Sequence, residues 1–237
     1  MLRLCTWSAM AEQDLEQAVS LGVWGVALPL PPNTTVQQAR EFHAGAARLG
    51  LVVAAAVGPD GALPEVSGCS LAREVGARSL VVRPGPGTMA ELAEGCRMLC
   101  DACSIRILVE TNPGSPVGTL TAAAELVRSV ARPNFGVALD PVGLLNLDTY
   151  FDNDSFLARV VQQLGAAIGL VVARDATLDP DGLSFRLVER VVGTGGVRYR
   201  ALLATLRGTT EDLPVLVDRR VDAMAHIRAM IDEVPLQ

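Results

Sequence analysis

Lysine is absent from this sequence: its 20 lysine-plus-arginine positions are all arginine. A chain without lysine cannot run Schiff-base aldol chemistry or anchor pyridoxal phosphate. Nor can it supply the phosphate-gripping lysine of P-loop enzymes and protein kinases. Histidine is scarce, with 2 residues, and aromatic residues make up 4%. Long hydrophobic runs are missing as well. The longest, 51–57 and 166–173, are too short to span a bilayer. The first residues lack the apolar core of a signal peptide. A formal charge of −6, with the arginines scattered, argues against nucleic acid as a partner. These absences lead us to expect a soluble, cytoplasmic protein. Metal, carboxylate, thiol and arginine chemistry remain open to it.

The 5 cysteines are an odd number, which fits a reducing compartment. A chain of 237 residues buries enough surface to fold without disulfide staples. Cys96, Cys100 and Cys103 have the spacing of a radical-forming iron–sulfur motif. However, 89–103 reads as one helix, with Leu92, Cys96, Leu99, Cys100 and Cys103 on a single apolar stripe. A cluster motif needs a loop, and buried cysteine behaves as a small hydrophobe, so the stripe is read as helix packing.

What is present is a repeating unit. An amphipathic helical stretch ends in glycine, and a β-branched strand follows. Residues 11–21, 35–49 and 69–75 end at Gly22, Gly50 and Gly76, where a helix C-cap is expected. Strands are predicted at 3–6, 23–30, 51–57, 79–83, 105–110, 135–140, 168–174 and 214–218, with a last helix at 221–233. Mostly continuous apolar strands signal a parallel sheet covered on both faces. Eight βα units in a chain of this length favour a closed (β/α)8 TIM barrel, read as one domain over 1–237. No G-x-G-x-x-G follows the first strand, which disfavours a dinucleotide-binding sheet.

In such a barrel the site lies at the C-terminal ends of the strands. Those positions hold Trp7, Arg83, Glu110, Asp140, Arg174, Asp175, Asp218 and Arg219. Carboxylates converging on one mouth need neutralising. Either a divalent metal binds Glu110, Asp140 and Asp218 through oxygen, or Arg83 and Arg174 pair with them. Trp7 is either a stacking wall for a ligand or a plug in the barrel top. Asp140 precedes Pro141 and also suits a turn or cap. The glycine run Gly193-Thr-Gly-Gly196, including Gly195, is either a backbone cradle for a phosphate or a plain turn.

Three stretches carry a resemblance: Leu108-Val-Glu-Thr-Asn followed by Gly118-Thr-Leu; Phe135-Gly-Val-Ala-Leu-Asp140; and Gly193-Thr-Gly-Gly-Val-Arg-Tyr199. In order and spacing the chain resembles the xylose isomerase-like TIM barrels. These include sugar-phosphate isomerases and epimerases and the related abasic-site endonucleases. The resemblance implies a divalent metal on Glu110 and Asp140, an all-oxygen site preferring manganese or magnesium over zinc. It also implies Glu110 and Asp218 as the pair that passes a proton through an enediolate. The sequence departs from the pattern at three places. Val172 stands where the family has a metal-binding histidine, Gly143 where it has a substrate-binding one, and Asp218 where it has a glutamate. His43 and His226 fall in predicted outer helices and supply no replacement. Arg174, in phase with Val172 along its strand, is positioned to stand in for the lost cation charge or to hold an anionic ligand, and Arg83 to act similarly.

The sequence therefore leads to a sugar or sugar-phosphate isomerase or epimerase that works by carboxylate proton transfer, either with a divalent metal, manganese or magnesium before zinc, or with none. Trp7, Arg83, Arg174 and Gly195 would bind a small polyhydroxy ligand. Its rival is a non-catalytic member of the fold that binds a sugar-like ligand or a protein. The endonuclease branch fits worst, since it uses a histidine-rich metal cluster.

Overall fold

Parallel strands buried on both faces must alternate with covering helices, and they do. The computed structural model describes residues 1–31, 33–181, 184–208, 212–218 and 220–233. The barrel strands are β1 (Leu2–Trp7), β2 (Gly25–Pro29), β3 (Val52–Asp60), β4 (Ser79–Arg83), β5 (Arg106–Glu110), β6 (Phe135–Leu139), β7 (Ile168–Val172) and β10 (Leu213–Val217). They close in the order β1-β10-β7-β6-β5-β4-β3-β2, so the fold is a closed (β/α)8 barrel. The helices are α1 (Glu12–Ser20), α2 (Val36–Arg48), α3 (Val66–Glu74), α4 (Met89–Ala102), α5 (Leu120–Val130), α6 (Leu147–Tyr150), α7 (Asn153–Leu164), α8 (Tyr199–Leu206) and α9 (Val221–Glu233).

Local chemistry sets the helix ends. Thr35 with Gln38, and Thr88 with Glu91, form reciprocal capping boxes that satisfy the first free N–H groups of α2 and α4. Gly22, Gly50 and Gly76 take positive φ just beyond α1, α2 and α3, as C-terminal glycines do.

Two apolar clusters share the strands by alternation. Leu4, Val26, Leu80, Ile107 and Val137 face the helices. Cys5, Ala27, Val81, Leu108, Ala138, Val172 and Leu216 fill the barrel. A strand repeats its face every second residue. Two residues beyond these interior positions stand Trp7, Arg83, Glu110, Asp140, Arg174 and Asp218. The barrel phase thus delivers the candidate site.

Two features differ from the sequence expectation. An antiparallel hairpin, β8 (Asp175–Asp181) and β9 (Ser184–Arg190), is inserted after β7, in register from Asp175 opposite Arg190. In addition, Cys69 of α3 and Cys103 form a disulfide. This corrects the placement of Cys103 on the α4 stripe and the expectation of a chain without disulfides. Cys103 caps α4 in extended backbone, φ −103° and ψ 136°, and so leaves the helix face. With two cysteines paired, the odd count no longer points to a reducing compartment. Cys96 and Cys100 do stay on the stripe as buried free thiols, which burial pushes up to about 12 and about 11. Among the described residues, no helix is long and apolar enough to cross a membrane.

Candidate functional site

The C-terminal mouth holds a cavity of about 380 Å³ lined by Trp7, Arg83, Val172, Ala173, Arg174, Asp218 and the hairpin residues Glu189 to Val192. Larger hollows, of about 540 and 490 Å³, lie on the outer helices, away from the strand ends where barrel chemistry is built.

Beneath the cavity runs a chain of charges. Arg83 Nη1 donates to Asp60 Oδ1 at 2.7 Å, and its Nε donates to Glu110 Oε2 at 3.0 Å. Arg174 Nη2 donates to Glu110 Oε1 at 3.2 Å, and its Nη1 lies 3.3 Å from Asp140 Oδ2. Glu110 and Asp140 are buried, with side chains 6% and 4% exposed, while that of Arg174 is 34% exposed. Each arginine is therefore a lid of positive charge between solvent and a carboxylate. The Arg83 guanidinium also stacks over Trp7, 5.1 Å from the ring centroid. Burial pulls the Arg83 pKa down. The Glu110 charge and the hydrogen bonds to Asp60 and Glu110 outweigh that pull, so it ends above its ordinary value.

Asp140 behaves differently. Burial pushes its carboxyl up to about 7, against the pull of Arg174 and the N–H groups of Val142 and Gly143, with the Glu110 charge adding to the rise. A proton on this group is thus balanced near neutral pH.

Two hydroxyl clamps fix the backbone of the paired residues. Thr111 Oγ1 accepts the Asp140 N–H at 2.9 Å and donates to the Asp140 carbonyl at 2.8 Å. The Tyr199 hydroxyl accepts the Arg174 N–H at 2.8 Å and donates to the Arg174 carbonyl at 2.6 Å. Both clamping residues are buried. Neither was singled out from sequence, although Thr111 directly follows Glu110 and Tyr199 ends the glycine motif. Asp60 was also missed, because β3 runs three residues past its predicted end.

Asp218 is placed otherwise than its expected roles require. It lines the cavity, yet its side chain is 62% exposed and pairs with Arg220 at 3.5 Å. Among the described residues it takes no part in the chain of contacts from Asp60 to Asp140. Arg219 lies outside the described residues. The expected metal set of Glu110, Asp140 and Asp218 is consequently not assembled. Among the described residues no three histidine, cysteine or carboxylate side chains form a group fit for an ion. The physical reason is plain: guanidinium donors occupy the oxygens of two members, the third faces solvent, and Val172 offers no ligand at the fourth position.

Gly195 also departs from its expected role, because its N–H donates to Asp175 Oδ2 at 2.9 Å. A Cβ at Gly195 would collide with Asp175 Oδ1 and the Ala176 carbonyl. Gly195→Ala is therefore expected to cost about 1–3 kcal/mol by overpacking. In a thermal melt this is a fall of roughly 2–4 °C per kcal/mol for a chain of this size. An unchanged melting temperature would show that Asp175 does not fix the loop.

No family model matches the chain, and no curated protein matches it in sequence. Solved structures do match in fold. A xylose isomerase domain protein from Planctomyces limnophilus superposes with a TM-score of 0.75 at 17% identity, over 98% of this chain and 96% of that one. A xylose isomerase-like TIM barrel protein from Mycobacterium smegmatis, in complex with magnesium, gives 0.74 at 12%, over 94% and 89%. The D-psicose 3-epimerase of Clostridium cellulolyticum H10, with D-tagatose, gives 0.75 at 11%, over 97% and 99%. The chain thus has the fold of the xylose isomerase-like TIM barrels, a fold that sugar epimerases share.

Proposed function

We propose that the barrel mouth binds a small polyhydroxy compound of the sugar class and acts on it as an isomerase or epimerase, by carboxylate proton transfer without a metal. The observation that carries this reading is Arg174 bridging buried Glu110 and Asp140. In the metal-dependent version of such chemistry, a cation polarises the substrate's carbonyl and hydroxyl oxygens and offsets the charge of an enediolate. Here the Arg83 and Arg174 guanidiniums supply fixed positive charge at the cavity floor, suited to the same developing oxyanion. A carboxyl balanced near 7 suits a general acid or base working at neutral pH. That assigns the acid/base pair to Glu110 and Asp140. Asp218, on the wall, contacts ligand hydroxyls, and Trp7 offers a flat apolar face to the sugar ring.

A second reading, ligand binding without catalysis, is favoured by one specific observation. Arg83, Arg174 and Trp7 line the cavity, whereas Glu110 and Asp140 do not. One experiment separates the two. The protein is incubated in D2O with a panel of hexoses, pentoses and ketoses headed by D-tagatose and D-fructose. Deuterium uptake is read by mass spectrometry, with and without EDTA, beside calorimetric binding. The catalytic reading expects EDTA-insensitive uptake into at least one sugar, lowered about 100-fold or more in Glu110→Gln. Binding with no uptake leaves the second reading, and neither binding nor uptake sinks both.

A further inference from the structure

The loop between the hairpin and α8 has the make-up of an anion cradle. Gly193 takes φ +91°, glycines recur at 195 and 196, and the N–H groups of alternate residues, Gly193, Gly195 and Val197, converge on one point. Backbone N–H groups that converge in a turn form concavities that hold anions, and barrels of this class often bind phosphate at the loops after their last two strands. In this chain the cradle is already filled from within. Asp175 Oδ2 accepts the N–H of Gly193 at 2.9 Å and of Gly195 at 2.9 Å. Its Oδ1 accepts the N–H of Val197 at 3.0 Å and of Ala176 at 2.9 Å. The two remaining N–H groups of the loop go to carbonyls, Thr194 to Val191 and Gly196 to Ala176, at 2.9 and 2.8 Å. Asp175 itself is 1% exposed.

Every N–H from Gly193 to Val197 is therefore committed to the protein. The cavity floor offers a dianion little more. Arg83 is shared between Asp60 and Glu110, and Arg174 between Glu110 and Asp140. The cavity wall adds the carboxylates of Glu189 and Asp218. A phosphate ester would have to displace an internal carboxylate or compete for arginines already paired.

We infer that Asp175 is a specificity-determining residue, an internal anion that closes the phosphate cradle and makes this a site for uncharged, unphosphorylated polyhydroxy compounds. The inference rests on the proposed reading of the mouth as a ligand site and names the class of ligand it takes.

The test uses inorganic phosphate, D-fructose and D-fructose 6-phosphate in calorimetric titrations, in buffers free of sulfate and phosphate. Wild-type protein is expected to show no phosphate binding in the low millimolar range and no gain in affinity from the sugar's phosphate group. Asp175→Ala, with its fold checked by circular dichroism, is expected to gain phosphate affinity by about tenfold or more. Submillimolar phosphate binding by the wild type overturns the inference. So does a folded Asp175→Ala that gains none. Should that variant fail to fold, the wild-type arm decides alone, because sugar-phosphate binding tighter than sugar binding defeats it. If no sugar in the wider panel binds, the proposed function falls instead, while the inorganic phosphate arm still reports on Asp175.

Discussion

Arg174→Ala is expected to destabilise the fold by about 3 kcal/mol, an effect larger than removal of any exposed arginine on the outer helices. The cause is what it leaves behind. Glu110 and Asp140 are almost fully buried, and Arg174 touches both. Removing one partner of a buried ion pair strands an uncompensated charge, which costs about 3–5 kcal/mol. The lower end applies because the guanidinium is itself about a third exposed and water already screens it. In a thermal melt this is a fall of roughly 6–12 °C for a chain of this size. By contrast, an exposed pair such as Arg132 with Asp101 is expected to change stability by about 1 kcal/mol at most. Arg174→Lys should recover only part of the loss, since one ammonium cannot reproduce a planar fork that reaches two carboxylates. Adding Asp140→Asn to Arg174→Ala should recover part of the loss beyond additivity, because the only carboxylate then left without Arg174 is Glu110, which keeps Arg83. A melt of Arg174→Ala within a degree of wild type would remove Arg174 from its role as the neutralising cation.

The mouth was legible in the sequence to the extent that strand phase made it so. Continuous apolar strands located β4, β5, β6 and β7. Their strand-end positions put Arg83, Glu110, Asp140 and Arg174 at the mouth, and alternation put Arg174 on the side of Val172; the structure brings the four together. What the phase could not say was how far each side chain would travel. Asp218 shares the phase of Leu216, yet it lies one residue past the end of β10 and pairs with exposed Arg220. The hairpin escaped because its strands carry charges and a proline instead of an apolar run. Asp181-Gly182 was the turn signal that could have revealed it. The disulfide escaped because Cys69 and Cys103 are 34 residues apart, and only the packing of α3 against α4 joins them. Asp175 was noticed as a strand-end charge, but a carboxylate that satisfies four N–H groups becomes visible only once the loop has closed around it.

The second large effect concerns the pH dependence of stability, and its sign separates two forces acting on Asp140. Around this carboxyl stand Arg174, Glu110, the Tyr199 hydroxyl and the N–H groups of Val142 and Gly143. If the Arg174 pair dominated, the folded pKa would fall below the unfolded value, and stability would rise with pH in the acid range. Burial dominates instead and lifts the folded pKa to about 7 from the ordinary 3.8. Between these values the folded protein keeps a proton that the unfolded chain has released. The slope of unfolding free energy with pH is then negative. The contribution of Asp140 is complete below about pH 4 and drains away as pH rises through about 7. A shift of about three pKa steps sets an upper limit of roughly 4 kcal/mol. Asp140→Asn keeps the shape, and its Oδ1 can still accept the Val142 N–H, but it carries no titrating proton. Denaturant titrations at intervals from pH 4.5 to 8 should therefore show wild-type stability falling more steeply than that of Asp140→Asn, with the variant gaining on the wild type at alkaline pH. Curves that stay parallel, or a wild type that gains on the variant as pH rises, would mean that Arg174 holds Asp140 ionised and that Asp140 is not the proton carrier of this site.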